Sequence, residues 1–298
     1  MGFTGFFRHF PVVGVLLLMA CSLSQNIHSA TPLFTKDTQV LGTWWWWVEP
    51  KDENKYLSFA AENGVNEIYY YTLEFNNHTG SFIQRAANKG IKVFLLVDNK
   101  DYIWNRDSFI LLMSDFTAYQ EKAGEKRKFA GIHLDIEPQD HSGFNDSTST
   151  RFLQDYLDFV VWVCSTYRVG PDRPSGAETI DFDIAWWFDD KLSYKGGKLE
   201  LYKALINEAD RVFLMSYKDT AKETYRISKE EIAYAKSLNK QIILGAETGN
   251  VDYEPNISFY GRGKTYMYGQ LHELHKLVDY DNYGLSIHYI SAWYEMGK

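Results

Sequence analysis

Phe129-Ala130-Gly131-Ile132-His133-Leu134-Asp135-Ile136-Glu137 is the stretch whose pattern sets the fold class. Ile132, Leu134 and Ile136 alternate with His133, Asp135 and Glu137. In an extended strand successive side chains point to opposite faces, so the apolar set shares one face and the polar set the other. The apolar face is expected to pack on surrounding helices. The polar face then turns into a barrel lumen.

Working outward, three more apolar runs precede this one, at 40–48, 65–71 and 91–97. Four follow it, at 180–187, 212–217, 241–246 and 285–290. Between them lie stretches with apolar residues at i, i+3, i+4 spacing: short ones at 56–63 and 82–88, longer ones at 107–122, 149–167, 199–209, 228–238 and 266–278. Gly64 and Gly90 stand just past the first two, where a helix C-terminus favours glycine. Strand-helix alternation of this kind predicts a parallel sheet with helical crossovers, and eight strands predict closure. The expected fold is α/β, a single (β/α)8 TIM barrel over residues 38–298. Few residues follow the eighth run, so the last helix is expected to be missing. No Gly-x-Gly-x-x-Gly follows the first run, which argues against an open dinucleotide-binding sheet and any cofactor of that kind.

Of the 298 residues, 45% are hydrophobic and 23% charged, within the globular range. The net charge of −8, with no basic stretch, excludes the positive footprint that nucleic-acid binding needs. Aromatics reach 16%, which suits either sugar-stacking surfaces or an aromatic core. At the N-terminus Arg8 precedes an apolar run ending Leu18-Met19-Ala20-Cys21. This reads as an export signal over residues 1–30, too short to span a bilayer comfortably. A small residue before Cys21 resembles the bacterial lipoprotein box, so lipidated Cys21 would anchor the chain to a membrane face; ordinary cleavage is the alternative. Cys164 is the other cysteine, set in an apolar run and expected to be a buried, inert thiol. Nothing in the sequence sets the oligomeric state.

Catalytic groups of such barrels sit at the C-terminal ends of strands. Glu49, Asp98, Asp135, Glu137, Asp189, Asp190, Asp219 and Glu247 all fall at run ends, and a solvated loop acid is the default reading for any one of them. The fourth run differs. Asp135 and Glu137 on one lumenal face raise each other's proton affinity, which keeps Glu137 protonated near neutral pH for use as a general acid. The competing reading is a buried structural acid pair. In the sixth run Met215 and Tyr217 share a face, with the Tyr217 hydroxyl placed to meet a substrate oxygen or merely to rim the core. Trp293, after the eighth run, is expected either to floor a sugar site or to plug the barrel. Trp187 and Asp98, at the ends of the fifth and third runs, join His133, Met215 and Trp293 as substrate-binding candidates. Alternation sends the tryptophans 44–47 in and out by turns.

Ala130-Gly131-Ile132-His133-Leu134-Asp135-Ile136-Glu137 is similar to the strand-4 signature Asp-Gly-x-Asp-x-Asp-x-Glu of the family 18, chitinase-like glycoside hydrolases. Gly131, Asp135 and Glu137 match; Ala130 and His133 stand where that family has Asp. Met215-Ser216-Tyr217 resembles its Met-x-Tyr, with Lys218 in place of the Asp that usually follows. The resemblance implies a carbohydrate substrate and makes Glu137 the general acid. Asp135 would orient a substrate acetamido group that itself attacks the anomeric carbon, and Tyr217 would hold that group's oxygen. The two lost acids normally tune Asp135. His133 beside Asp135 has no apparent third metal ligand, and no metal is expected.

Two other readings stay open. Ile136-Glu137-Pro138 resembles the Asn-Glu-Pro signature of retaining glycosidases with two glutamates, whose nucleophile ends strand 7, where Glu247 lies. Glu137 would then be acid/base and Glu247 nucleophile, about 5–5.5 Å apart. A barrel that has lost motif acids is, alternatively, an inactive glycan binder.

Overall fold

The computed structural model describes residues 39–168, 179–251 and 256–296. The export segment and Cys21 lie outside the described residues. From the first described residues the chain runs β1 (Leu41–Trp45), α1 (Glu53–Glu62), β2 (Glu67–Tyr71), α2 (Asn77–Ala87), β3 (Lys92–Val97), α3 (Arg106–Lys122), β4 (Gly131–Leu134) and α4 (Ser149–Val163). It continues β5 (Ile180–Ala185), β6 (Lys191–Tyr194), β7 (Gly197–Glu200), α5 (Leu201–Glu208), β8 (Arg211–Met215), α6 (Ala221–Ser237), β9 (Gln241–Glu247), α7 (Lys264–Leu277), β10 (Tyr283–His288) and α8 (Ile290–Glu295). Eight strands close into a parallel barrel in the order β1-β10-β9-β8-β5-β4-β3-β2. This is the (β/α)8 fold expected from the alternation.

Two expectations are corrected. The eighth helix is present as the short α8, which packs on α1 and against β1 and β10. Its six residues are too few for the spacing pattern to register. The stretch 199–209 is also not helical from its start, because Leu199 and Glu200 belong to an antiparallel hairpin, β6–β7. Its two-residue turn puts Lys195 and Gly196 at φ 48° and 83°. Positive φ at both central residues is the turn that matches the twist of a tight hairpin.

Local chemistry sets the helix ends. Asn76, Asn105 and Thr220 precede α2, α3 and α6, and each side chain accepts from a backbone N–H of the first turn. Gly64 and Gly90 take φ 79° and 78° just beyond α1 and α2, a conformation glycine adopts without strain.

The core has two layers. Outside the strands, Trp45, Ile68, Leu95, Ile132 and Leu134 meet the helices, with Trp45 edge-on to Tyr56 and Phe82. Inside, Val40, Trp44, Tyr69, Phe94, Leu96, Phe213 and Ile243 fill the lumen. Burying each aliphatic or Phe side chain of this kind contributes roughly 1.5–3 kcal/mol. The tryptophan run alternates as strand geometry requires: Trp44 points inward, Trp45 outward and Trp46 inward, while Trp47 is 79% exposed at φ 41°. At the N-terminal floor of the barrel Arg211 binds Asp181 through two nitrogens and Glu67 through a third, and Tyr69 donates to Glu67. Cys164 is buried. No described helix is long and apolar enough to cross a membrane.

Candidate active site

At the C-terminal ends of the strands lies a cavity of about 320 Å³. Asp135 and Glu137 enter it from just past β4, Met215 and Tyr217 from the end of β8, and Glu247 from the end of β9. Trp186 and Trp187, after β5, stand at its rim with about a third of each surface exposed. A larger surface depression of about 680 Å³ lies on the flank by α2 and α3, lined by Phe75, Tyr119 and Arg127 among others. Of the strand ends only that of β2 reaches it, through Leu73, whereas those of β4, β5, β8, β9 and β10 meet in the smaller cavity, where the barrel architecture puts chemistry.

Glu137 is a strongly tuned acid at the opening. Burial, then the charges of Asp135, Asp140 and Asp98, push its carboxyl up to about 8. It therefore holds its proton at neutral pH and can donate it. Gln139 donates to Oε2 of Glu137, which leaves the acid proton to Oε1. Asp135 is buried and raised well above the usual carboxylate range, first by burial and then by the charge of Asp183. Tyr217 is likewise held as the neutral phenol by burial. Its ring lies parallel to His288, with centroids 5.9 Å apart. Gly245 makes room for it, since a Cβ there would lie 2.7 Å from Tyr217 Cε1.

Glu247 is fixed at both oxygens. Oε1 accepts from the Gly249 backbone N–H, and Oε2 accepts from His288 Nδ1 at 2.6 Å. Trp46 Nε1 donates to His288 Nε2 at 3.1 Å, so the His288 proton is assigned to Nδ1, facing Glu247. Each carboxylate oxygen keeps a second lone pair for an incoming hydroxyl.

Of the residues singled out from sequence, Glu137, Asp135, Tyr217, Glu247, Met215 and Trp187 line the cavity together. Asp98 does not line it, though its charge acts on both Asp135 and Glu137. His133 and Trp293 are placed elsewhere than the substrate-binding role assigned to them. His133 lies beneath the cavity, wholly buried, stacked on Tyr69 with centroids 4.2 Å apart and edge-on to Phe213. Burial lowers its imidazole to about 3, which keeps it neutral. Trp293 sits on α8, buried against Phe59 and bonded to Tyr268, because the chain turns outward into the helix layer after β10. Asp183 and His288 went unnoticed in the sequence. Asp183 had a signal: Ile180-Asp181-Phe182-Asp183 carries the same polar-apolar alternation as β4. Among the described residues no group of three or more His, Cys, Asp or Glu side chains is arranged to hold a metal ion.

No family model and no curated protein matches the sequence. Solved structures do match. A calcium-binding mutant of Bacteroides uniformis beta-glucuronidase 2 aligns over 85% of this chain and 30% of its own, at 10% identity and TM-score 0.54. The GH18 chitinase ChiB of Flavobacterium johnsoniae aligns over 87% and 90%, at 12% identity and TM-score 0.49. The Bacillus cereus spore cortex-lytic enzyme SleL aligns over 85% and 70%, at 14% identity and TM-score 0.48. At such identities the likeness is one of fold alone.

Proposed function

We propose that this chain is a glycoside hydrolase acting on a carbohydrate that bears a 2-acetamido group. One observation carries the reading: a carboxylic acid kept protonated at neutral pH, Glu137, opens into the strand-end cavity with Asp135 and Tyr217 beside it. Glu137 protonates the glycosidic oxygen as the bond to the anomeric carbon breaks. The substrate's own acetamido oxygen attacks that carbon from the other side, so the protein need not supply a nucleophile. Asp135 accepts from the acetamido N–H as positive charge grows there, and the Tyr217 hydroxyl donates to the acetamido oxygen and orients it. Water then opens the cyclic intermediate, with Glu137, now a carboxylate, taking its proton. Glu247, already held by His288 and the Gly249 amide, accepts from sugar hydroxyls.

The test is hydrolysis of aryl glycosides with and without 2-acetamido groups by wild type, Glu137→Gln and Glu247→Gln. Turnover confined to 2-acetamido substrates is expected. It should fall on the order of 10³-fold in Glu137→Gln, while Glu247→Gln chiefly raises KM. Turnover of plain glycosides that Glu247→Gln abolishes would show Glu247 to be a nucleophile and overturn the proposal.

A further inference from the structure

Asp183 is not part of the motif that drew attention to β4, yet its carboxyl meets that of Asp135. The two side chains hydrogen-bond one another from adjacent strands. Asp183 is 3% exposed and Asp135 9%. Oδ1 of each is buried, as is the Trp44 indole nitrogen, whose N–H acts on Asp183 to favour its charged form. Two buried acids in contact cannot both ionise, so a proton lies between them. On its far side, Asp183 Oδ2 lies 2.7 Å from His133 Nε2. A neutral imidazole in this place donates Nε2–H, which favours negative charge on Asp183 and leaves the shared proton on Asp135.

Resting on the reading above, we infer that Asp183 is a positioning residue for the reaction: it aims Asp135 and takes up its proton, and His133 is its anchor. At rest Asp135 carries the proton and donates it to Asp183. When the substrate's acetamido group arrives, the proton crosses to Asp183. Asp135 is left a carboxylate, free to accept from the acetamido N–H. One O–H bond breaks and one forms, with no other reactant. On this account the acid missing at position 133 is supplied by the next strand, and the imidazole in its place serves that acid. The site is rebuilt rather than lost, which bears directly on whether the barrel is an enzyme or an inactive binder.

Other groups bear on the pair, so a pH profile must be read with them in view. Asp98 follows β3, Glu137 and Asp140 follow β4, Asp181 shares β5, Tyr156 comes from α4 and Tyr217 from β8. The experiment compares wild type, Asp183→Asn and the double variant Asp183→Asn/His133→Asp on a 2-acetamido aryl glycoside. Asp183→Asn is expected to lower kcat by roughly 10- to 100-fold through lost positioning, with KM within about threefold. Its pH profile should shift, since Asp183 no longer raises Asp135, whose charge in turn acts on Glu137. Moving the acid back to β4 in the double variant should recover part of the loss, which a purely structural role for Asp183 does not predict. An Asp183→Asn enzyme with wild-type kcat and pH profile overturns the inference. Should that variant fail to fold, infrared spectroscopy decides. The difference between Glu137→Gln and Glu137→Gln/Asp135→Asn should contain the stretch of one protonated carboxyl at pH 7, and its absence overturns the shared proton. A wild type that cleaves no 2-acetamido glycoside sinks the proposed activity instead, and the infrared difference still judges the carboxyl pair by itself.

Discussion

Glu137 does two opposed things to the protein. Its carboxyl is raised from 4.5 to about 8, foremost by burial. The folded state therefore binds this proton more tightly than the unfolded chain does. Any stability associated with the group is complete below pH 4.5, declines as pH climbs, and is lost once pH passes about 8. Gln at this position keeps the shape but cannot ionise. Glu137→Gln is thus expected to melt close to wild type at pH 5 and several degrees higher at pH 9, while having lost turnover at both. Thermal unfolding monitored by circular dichroism at the two pH values checks this. Equal melting temperatures at pH 9 would mean that the side chain reaches water and is not the proposed acid. Glu137 could be picked out in the sequence because a carboxylate two residues from another on one strand face is rare without a use. His133 could be placed in the lumen by the same alternation. That its Nε2 pairs with Asp183 depends on a neighbour fifty positions away, which strand periodicity does not reveal.

At the scale of elements, the site depends on how β8 and β9 approach. Tyr217 can lie where it does only because β9 has no side chain at Gly245. Gly245→Ala would place a Cβ 2.7 Å from the ring and 3.1 Å from the Leu214 carbonyl oxygen, so the ring must tilt away. The expected result is a drop of about tenfold in kcat/KM, with a stability cost of about 1–3 kcal/mol from overpacking. A double-mutant cycle with Tyr217→Phe tests the cause. If Gly245 acts through Tyr217, the two losses fall well short of adding, and full additivity would refute the link. Met215 and Tyr217 were legible as one face of a strand, and Glu247 as a strand-end acid. The hold of His288 on Glu247 was not, because it joins the ends of two strands whose register the sequence does not display. Trp293 misled for a related reason. An aromatic residue after a final strand looks like a pocket floor until a six-residue helix carries it to the outer layer.

Over the whole molecule, alternation of apolar runs with amphipathic stretches was sufficient to reveal the barrel, since eight repeats of one pattern leave few other ways to bury it. The hairpin β6–β7 escaped because its strands are short, and only its Lys195-Gly196 turn marks it. The barrel floor also escaped. Glu67, Asp181 and Arg211 lie at the N-terminal ends of β2, β5 and β8, where charged residues look like ordinary loop ends, yet closure brings them together beneath the aromatic lumen. There Arg211 is 8% exposed, with its guanidinium 4.9 Å from the Phe94 ring. Replacing it with Met would strand two carboxylates without their cation. Removing one partner of such a buried network costs on the order of 3–5 kcal/mol, whereas replacing all the charged groups with apolar ones is often neutral. Arg211→Met is therefore expected to unfold at much lower urea concentration at pH 7. The deficit should be smaller at pH 5, where the Asp181 carboxyl, already raised by burial and now without its cation, takes up a proton more readily. The triple variant Arg211→Met/Asp181→Leu/Glu67→Met should regain most of the loss. Because this network sits at the end of the barrel opposite the cavity, the folded Arg211→Met enzyme should keep its kcat. A large fall in kcat at full folding would show that the floor and the site are coupled through the packed lumen.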